Sequence, residues 1–462
     1  MKTILIFLTS LIIYTGAQAK IWLPYVLSDN MVLQRNSKAV IWGWTTNGGE
    51  QITVTPSWDN KGVSVKANQG RWSVEIPTPK AGGPFTISIK GHEEVVLKNV
   101  MSGEVWVCSG QSNMAWTPKQ GLVNAETEIA NANFPKIRFY NFLRHKSDIP
   151  EYDARGEWVE CSPETMQNFS SVAYFFAREI HQRSNMAIGL IYTNWGGTPI
   201  EPWIPKEVVE KDPVLVDGAK KIKDNQNWPT EPGVLYNGMI HPFLKLDIAG
   251  AIWYQGESNR VNALSYYKSF PALINSWRKA WGKDFPFYYV QIAPFEYKDS
   301  EVDAAVVRDA QLQALSLPNT GMAVTMDIGD LTNIHPANKQ EVGRRLALWA
   351  LAKTYGVNIP TYSGPVFLSM DIEDSKARVV FKYANNGLII KGKEAEGFFI
   401  AGKDKVFYEA KAKVTANTVE VWSGKVKDPV AVRYGFSDTA QPNLFNIEGL
   451  PASPFRTDKW KP

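Results

Sequence analysis

Cysteine, histidine, one-signed charge and long apolar runs are all scarce in this 462-residue chain. Its two cysteines, Cys108 and Cys161, are too few for a disulfide scaffold. An oxidising compartment permits one bridge, but Cys108 falls in a buried-strand pattern where a free thiol packs as a small apolar group, so both are expected unpaired. The net charge of +4 is small for the length and no basic run appears, which argues against a nucleic-acid partner. The apolar run from Ile4 to Ile13 is broken by Thr9 and Ser10, is too short to span a membrane, and nothing later replaces it. With Lys2 before it and Ala17-Gln18-Ala19 after it, this run reads as a signal peptide over 1–19. The mature chain is then expected to begin near Lys20, exported to a periplasm or secreted, without membrane insertion. No repeat or low-complexity tract is present.

Tryptophan, by contrast, is abundant: 17 residues, whose flat apolar faces suit stacking on sugar rings. The length exceeds what one core supports and implies two or three domains. Over 20–100 short alternating stretches such as Ala39–Trp44, Gln51–Thr55, Gly70–Ile76 and Pro84–Ile89 are separated by Asn- and Gly-rich turns, the pattern of a small β-sandwich. Over 101–355 the rhythm changes. Buried-strand patterns at Glu104–Cys108, Ala187–Tyr192, Ile248–Tyr254, Phe287–Ile292 and Gly321–Met326 alternate with helical spacings. Those spacings are Phe169, Ala173, Phe176 and Ile180, then Tyr267 to Trp281, then a helix from Pro336. Strands alternating with helices predict a parallel sheet covered on both faces. Over 356–462 strand patterns return at Ala377–Phe381, Phe398–Gly402, Thr418–Trp422 and Ala431–Tyr434, a second β region.

Several middle strands end in polar, glycine-bearing turns, which in such sheets gather at one rim. The first is Gly110-Gln111-Ser112-Asn113, a sharp turn that would expose a hydroxyl and leave its own N–H free for an oxyanion. A nucleophilic Ser112 needs a base, and only five histidines exist. His92 lies in the N-terminal β region, His145 in a charged loop and His181 on the polar side of a helix. Of the two Ile-His-Pro sites, His241 precedes a strand and should enter from the opposite edge, whereas His335 follows a strand end on the active rim. His335 is therefore the expected base. The Ser112 N–H would be joined at the oxyanion by the N–H of Gly196 or Gly197 and by a side-chain donor from Gln255 or Asn259.

Taken in order, Ser-Gly-Gln-Ser-Asn-Met at 109–114, Trp-Gly-Gly-Thr at 195–198, Trp-Tyr-Gln-Gly-Glu-Ser-Asn at 253–259 and Asp-Ile-Gly-Asp with Ile-His-Pro over 327–336 resemble the blocks of the SGNH hydrolase superfamily. Within it they resemble the sialate O-acetylesterase family of carbohydrate esterases, and the likeness covers nearly all the mature chain. The resemblance implies a three-layer α/β/α SGNH-hydrolase domain with a parallel sheet, flanked by β-sandwich-like regions. It further implies a serine esterase acting on O-acetylated sugars without metal or cofactor. One position departs from the superfamily pattern, which puts aspartate three residues before the catalytic histidine, where this chain has Thr332. The orienting carboxylate is then Asp330, or alternatively Asp327, or else a main-chain carbonyl holds the imidazole. Arg308 and Gln311 either face the substrate or serve their helix. The expectation is an O-acetylesterase for sialic acids. Acetylated xylan or another glycan is an alternative substrate, and an inert carbohydrate-binding protein is the alternative of another class.

Overall fold

The computed structural model describes residues 20–461, so the leader expected over 1–19 lies outside the described residues. Near the start, β1 (Lys38–Thr45) and β2 (Arg71–Pro77) pair antiparallel. In β2, Trp72, Val74 and Ile76 turn inward while Arg71, Ser73 and Glu75 face out, the two-residue period of a half-buried strand.

The organising element is β3 (Glu94–Gly110), 17 residues long. Its first part alternates in burial and pairs antiparallel with Gly82–Lys90; from Met101 onward every residue is buried and the strand becomes the centre of a parallel sheet. The boundary expected between residues 100 and 101 thus falls inside one continuous strand.

Beyond β3 come α1 (Ser112–Ala115), β4 (Phe134–Phe142), β5 (Gly156–Cys161), α2 (Ser171–Ser184) and β6 (Ala187–Asn194). Next are β7 (Gly250–Tyr254), α3 (Tyr266–Trp281), β8 (Phe287–Val290), α4 (Asp303–Gln313), β9 (Thr320–Ala323) and α5 (Lys339–Trp349). The strands lie in the order β5-β4-β6-β3-β7-β8-β9, all parallel except β5 at the edge. Neither β4 nor β5 was expected from the sequence.

Alternation along β3 sorts the helices into two layers. Trp106 and Cys108 pack with Phe176 and Ile180 of α2 and with Leu346 and Trp349 of α5. Val105 and Val107 belong to the opposite core, with Phe270, Ile274 and Trp277 of α3 and Val307 of α4. Burying each such large side chain contributes about 2 kcal/mol, and together they make the α/β/α sandwich. Both cysteines are buried and free among the described residues. The remaining chain adds antiparallel strands, including Lys376–Lys382, Thr418–Trp422 and Ala431–Tyr434, around a separate core of Val379, Val421, Tyr434 and Phe455. No helix among the described residues is long and apolar enough to cross a membrane.

Register brings the ends together. Gly110, Asn194 and Tyr254 are direct neighbours across three strands, so the turns after β3, β6 and β7 share one rim.

Candidate active site

Gly110 closes β3 with φ 139°, and a Cβ there would lie 2.1 Å from the Tyr254 carbonyl oxygen, so only glycine permits this close approach. Gln111 follows in an extended conformation and donates its N–H to that carbonyl at 3.0 Å. Its side-chain Oε1 accepts from the N–H groups of Gly256 and Ser258, tying the turn to the one after β7. The chain then turns into α1, whose first residue is Ser112. A Cβ on Gly196 would sit 3.4 Å from that of Ser112, so the glycine keeps the space beside the hydroxyl open. The N–H groups of Ser112 and Gly196 meet no acceptor among the described residues. Gly197 has φ 79°, packs under Trp228 and accepts from the Ser258 hydroxyl through its carbonyl.

His335 reaches the same rim from the loop between β9 and α5, with Nε2 2.9 Å from Ser112 Oγ. Its ring lies face to face with Trp116, centroids 4.2 Å apart and planes 14° apart. The loop is held on both sides of the imidazole. The His335 N–H donates to Asn333 Oδ1, and Asn113, next to the nucleophile, donates from Nδ2 to the Ile334 carbonyl at 3.0 Å.

Beneath them is a buried polar cluster. Asn113 Nδ2 also donates to Glu257 Oε1 at 2.6 Å, and its Oδ1 accepts from Lys339 Nζ at 2.5 Å. Burial pushes the Lys339 ammonium down to about 7, opposed by the charge of Glu257, and burial raises the Glu257 carboxyl. His335 is lowered to about 4, first by burial and then by the charge of Lys339. The imidazole is therefore neutral at ordinary pH and able to accept a proton.

The other expected site residues make their contacts away from the Ser112–His335 pair. Asp330 is exposed, and its Oδ1 accepts from the Thr332 N–H, the Thr332 hydroxyl and the Asn333 N–H, so it shapes its own loop. Those hydrogen bonds also hold its carboxyl below the usual range. Asp327 forms a two-pronged pair with Arg345 at 2.6 and 2.7 Å, where it compensates a buried guanidinium. Neither carboxylate bonds the imidazole.

Gln255 is fully buried; Nε2 donates to Asn259 Oδ1 and to the Thr198 carbonyl, and Oε1 accepts from the Tyr266 hydroxyl. Both amide protons are thus committed within the protein. Asn259, also fully buried, donates to Glu201 and to Asn262 Oδ1. Arg308 is buried in α4 and donates to the Ser437 carbonyl, while Gln311 donates to the Gln255 and Val290 carbonyls. Gln255, Asn259 and Gln311 spend their side-chain amides on the scaffold, whereas Arg308 Nε and Nη1 meet no partner among the described residues. Three residues not singled out from the sequence, Asn113, Trp116 and Lys339, stand at the centre instead. Their only signals are adjacency to Ser112 and the four-residue step from His335 to Lys339.

Residues 102–352 match the family described as carbohydrate esterase, sialic acid-specific acetylesterase. The human sialate O-acetylesterase is 34% identical over 380 residues, covering 74% of this chain and 72% of its own. The rat sialate O-acetylesterase is 31% identical over 406 residues, covering 74% of each chain. Among solved structures, a carbohydrate acetylesterase from Xanthomonas citri is 38% identical with a TM-score of 0.87, covering 96% of this chain and 100% of its own. With its parallel-sheet sandwich and a serine–histidine pair at the strand ends, the chain belongs to the sialic acid-specific acetylesterase family of carbohydrate esterases and is a carboxylic ester hydrolase.

Proposed function

We propose that the protein is a serine esterase that removes O-acetyl groups from carbohydrates, O-acetylated sialic acids foremost, through an acetyl-enzyme on Ser112. The observation that carries this reading is the 2.9 Å approach of His335 Nε2 to Ser112 Oγ. That distance allows direct proton transfer as the hydroxyl attacks the acetyl carbonyl. The developing oxyanion would face the N–H groups of Ser112 and Gly196. Collapse of the tetrahedral intermediate breaks the ester bond, and the imidazolium returns its proton to the leaving sugar oxygen. Water then attacks the acetyl-enzyme with His335 again as base, releasing acetate and restoring Ser112.

No carboxylate orients the imidazole in this scheme. Stacking on Trp116 fixes the ring plane, and the bond from Asn113 to the Ile334 carbonyl fixes the backbone beside it. The working unit is a Ser112–His335 dyad. On this reading residues 101–355 form the hydrolase unit, with β regions at 20–100 and 356–462, and the leader pattern at 1–19 sends the protein across a membrane.

The relatives named for sialate esters support the sialic acid assignment, and the intact dyad argues against an inert binding protein. The Xanthomonas citri relative, described as a carbohydrate acetylesterase, supports acetylated glycans of other kinds as the second reading. Acetate release measured side by side from O-acetylated N-acetylneuraminic acid and acetylated xylo-oligosaccharides decides between them. Faster turnover of the sialic acid ester is expected. Turnover of the xylo-oligosaccharide alone would replace that assignment.

A further inference from the structure

A cavity of about 420 Å³ opens where the N-terminal strands meet the segment leading into β7. From β1 and β2 come Trp42, Trp44, Arg71 and Trp72; from the segment before β7 come His241 and Lys245. That segment feeds the amino end of β7, whereas the carboxyl end of β7, at Tyr254, adjoins the nucleophile turn. The four steps of β7 alone separate the two rims by about 13 Å.

The charges at this cavity are one-sided. Arg71 and Lys245 are both exposed, and neither has a carboxylate partner among the described residues. The nearest acid in sequence to Lys245, Asp247, is taken by Lys283 at 2.6 Å and by the Ser37 hydroxyl. Glu75 of β2 points to Lys38, and Glu151, whose carbonyl receives His241, faces His145 with its carboxylate. Burial and then the charge of Arg71 lower Lys245, so the two cations feel each other. Lys245 Nζ also lies 5.4 Å from the Trp42 ring centroid. Two like charges left facing a cavity repel until an anion sits between them.

Alongside the cations are flat aromatic surfaces. Trp44 is half-buried, lines the cavity and stacks on Trp22 with ring centroids 6.4 Å apart. An aromatic face beside a guanidinium and an ammonium suits a pyranose ring that carries a carboxylate. The apolar face of the sugar covers the indole, and the guanidinium takes the carboxylate with two parallel hydrogen bonds.

We propose that this cavity is an accessory glycan-binding site for a carboxylated pyranose, with the carboxylate on Arg71 and Lys245 and the ring on Trp44. Such a site would retain an acidic glycan on the enzyme while its esters are presented at the other rim. It stands on its own residues, whichever ester Ser112 hydrolyses.

The test titrates the full-length protein with three unacetylated glycosides, followed by ligand-observed NMR. The probes are the methyl α-glycoside of N-acetylneuraminic acid, methyl β-glucuronide and the neutral methyl β-glucoside. Saturable binding of at least one acidic glycoside is expected, at least about tenfold tighter than the neutral one. The tighter of the two acidic probes tells a sialic acid site from a uronic acid site. Arg71→Met/Lys245→Met and Trp44→Ala should each weaken binding about tenfold or more, with 4-nitrophenyl acetate hydrolysis kept within about twofold as the check on folding. Lys245→Met alone, at an exposed position, serves if the double variant loses hydrolysis. Absence of saturable binding, equal binding of the neutral glycoside, or undiminished binding in the variants would overturn the proposal. The last result would put the sugar at the catalytic rim. Because hydrolysis of the small ester needs Ser112 and not this cavity, failure here and failure of the esterase reading are told apart.

Discussion

Replacing Lys339 with methionine removes the buried ammonium that, after burial itself, holds His335 down at about 4 instead of 6.5. Burial is the larger cause of that displacement. The Lys339 charge is the smaller of the two causes. Its own titration near about 7 leaves it protonated wherever His335 titrates, so its charge is present when it matters. Methionine keeps most of the side-chain length against the Tyr254 ring, which lies 5.3 Å from Nζ. Loss of the ammonium leaves Glu257 without its counter-charge, which moves that buried carboxyl further toward its neutral form. The assay is kcat/KM for an acetyl ester between about pH 3 and pH 8, whose acidic limb reports the base in the free enzyme. The limb should move upward from about 4 by up to about one unit. At about pH 5 a base titrating at 4 is about 90% neutral and one titrating at 5 about half neutral, so the variant loses roughly twofold from its plateau there. A limb that stays in place or moves down would refute this account of why His335 is neutral.

Asp330→Asn should leave kcat within about threefold and the acidic limb unmoved, since its carboxylate serves only its own loop; a triad carboxylate would cost about 10⁴. Gln255→Ala strands the Tyr266 hydroxyl and one side of Asn259, so thermal unfolding should show a loss of about 2 kcal/mol, the range for a buried partner removed. If stability held while kcat alone fell, Gln255 would instead be an oxyanion donor. Trp116→Ala should lower kcat about 10- to 100-fold with KM little changed, because the base loses its fixed plane, and Trp116→Phe should recover most of the rate. A change confined to KM would make Trp116 a substrate contact.

Regular elements with a clean period were the legible part of the fold. The strands Thr418–Trp422 and Ala431–Tyr434 occur at their expected bounds, and α3 runs Tyr266–Trp281 despite Pro271 inside it. β4 was illegible because Lys136, Arg138 and Asn141 interrupt its apolar pattern; in the fold Arg138 is buried and paired with Glu160 of the neighbouring strand. The helix expected from Pro336 starts at Lys339, since Asn338 caps it by accepting the Glu341 N–H. Three residues of irregular chain thereby separate His335 from the helix proper. At the site, the pairing of Ser112 with His335, 2.9 Å apart in the fold, could be anticipated because histidines are few and each residue sits in a recognisable turn. The amides and carboxylates were not. A sequence tells that Gln255, Asn259, Asp327 and Asp330 can donate or accept, but the direction of each depends on neighbours such as Tyr266, Glu201, Arg345 and Thr332, which only the fold assembles. Lys339 was hidden for the same reason: its partners Asn113 and Glu257 lie 226 residues before it and in a third motif.

The central claim is that Ser112 carries the acetyl group. Rapid acid quench during turnover of an acetyl ester, followed by peptide mass spectrometry, tests it directly, with Ser112→Ala as the paired variant. One acetyl group should appear on the peptide containing Ser112 in the wild type and on no peptide in the variant, and the variant's kcat should fall by roughly 10³-fold or more. Near-normal turnover by Ser112→Ala, or an acetyl group trapped on a different residue, would contradict the account.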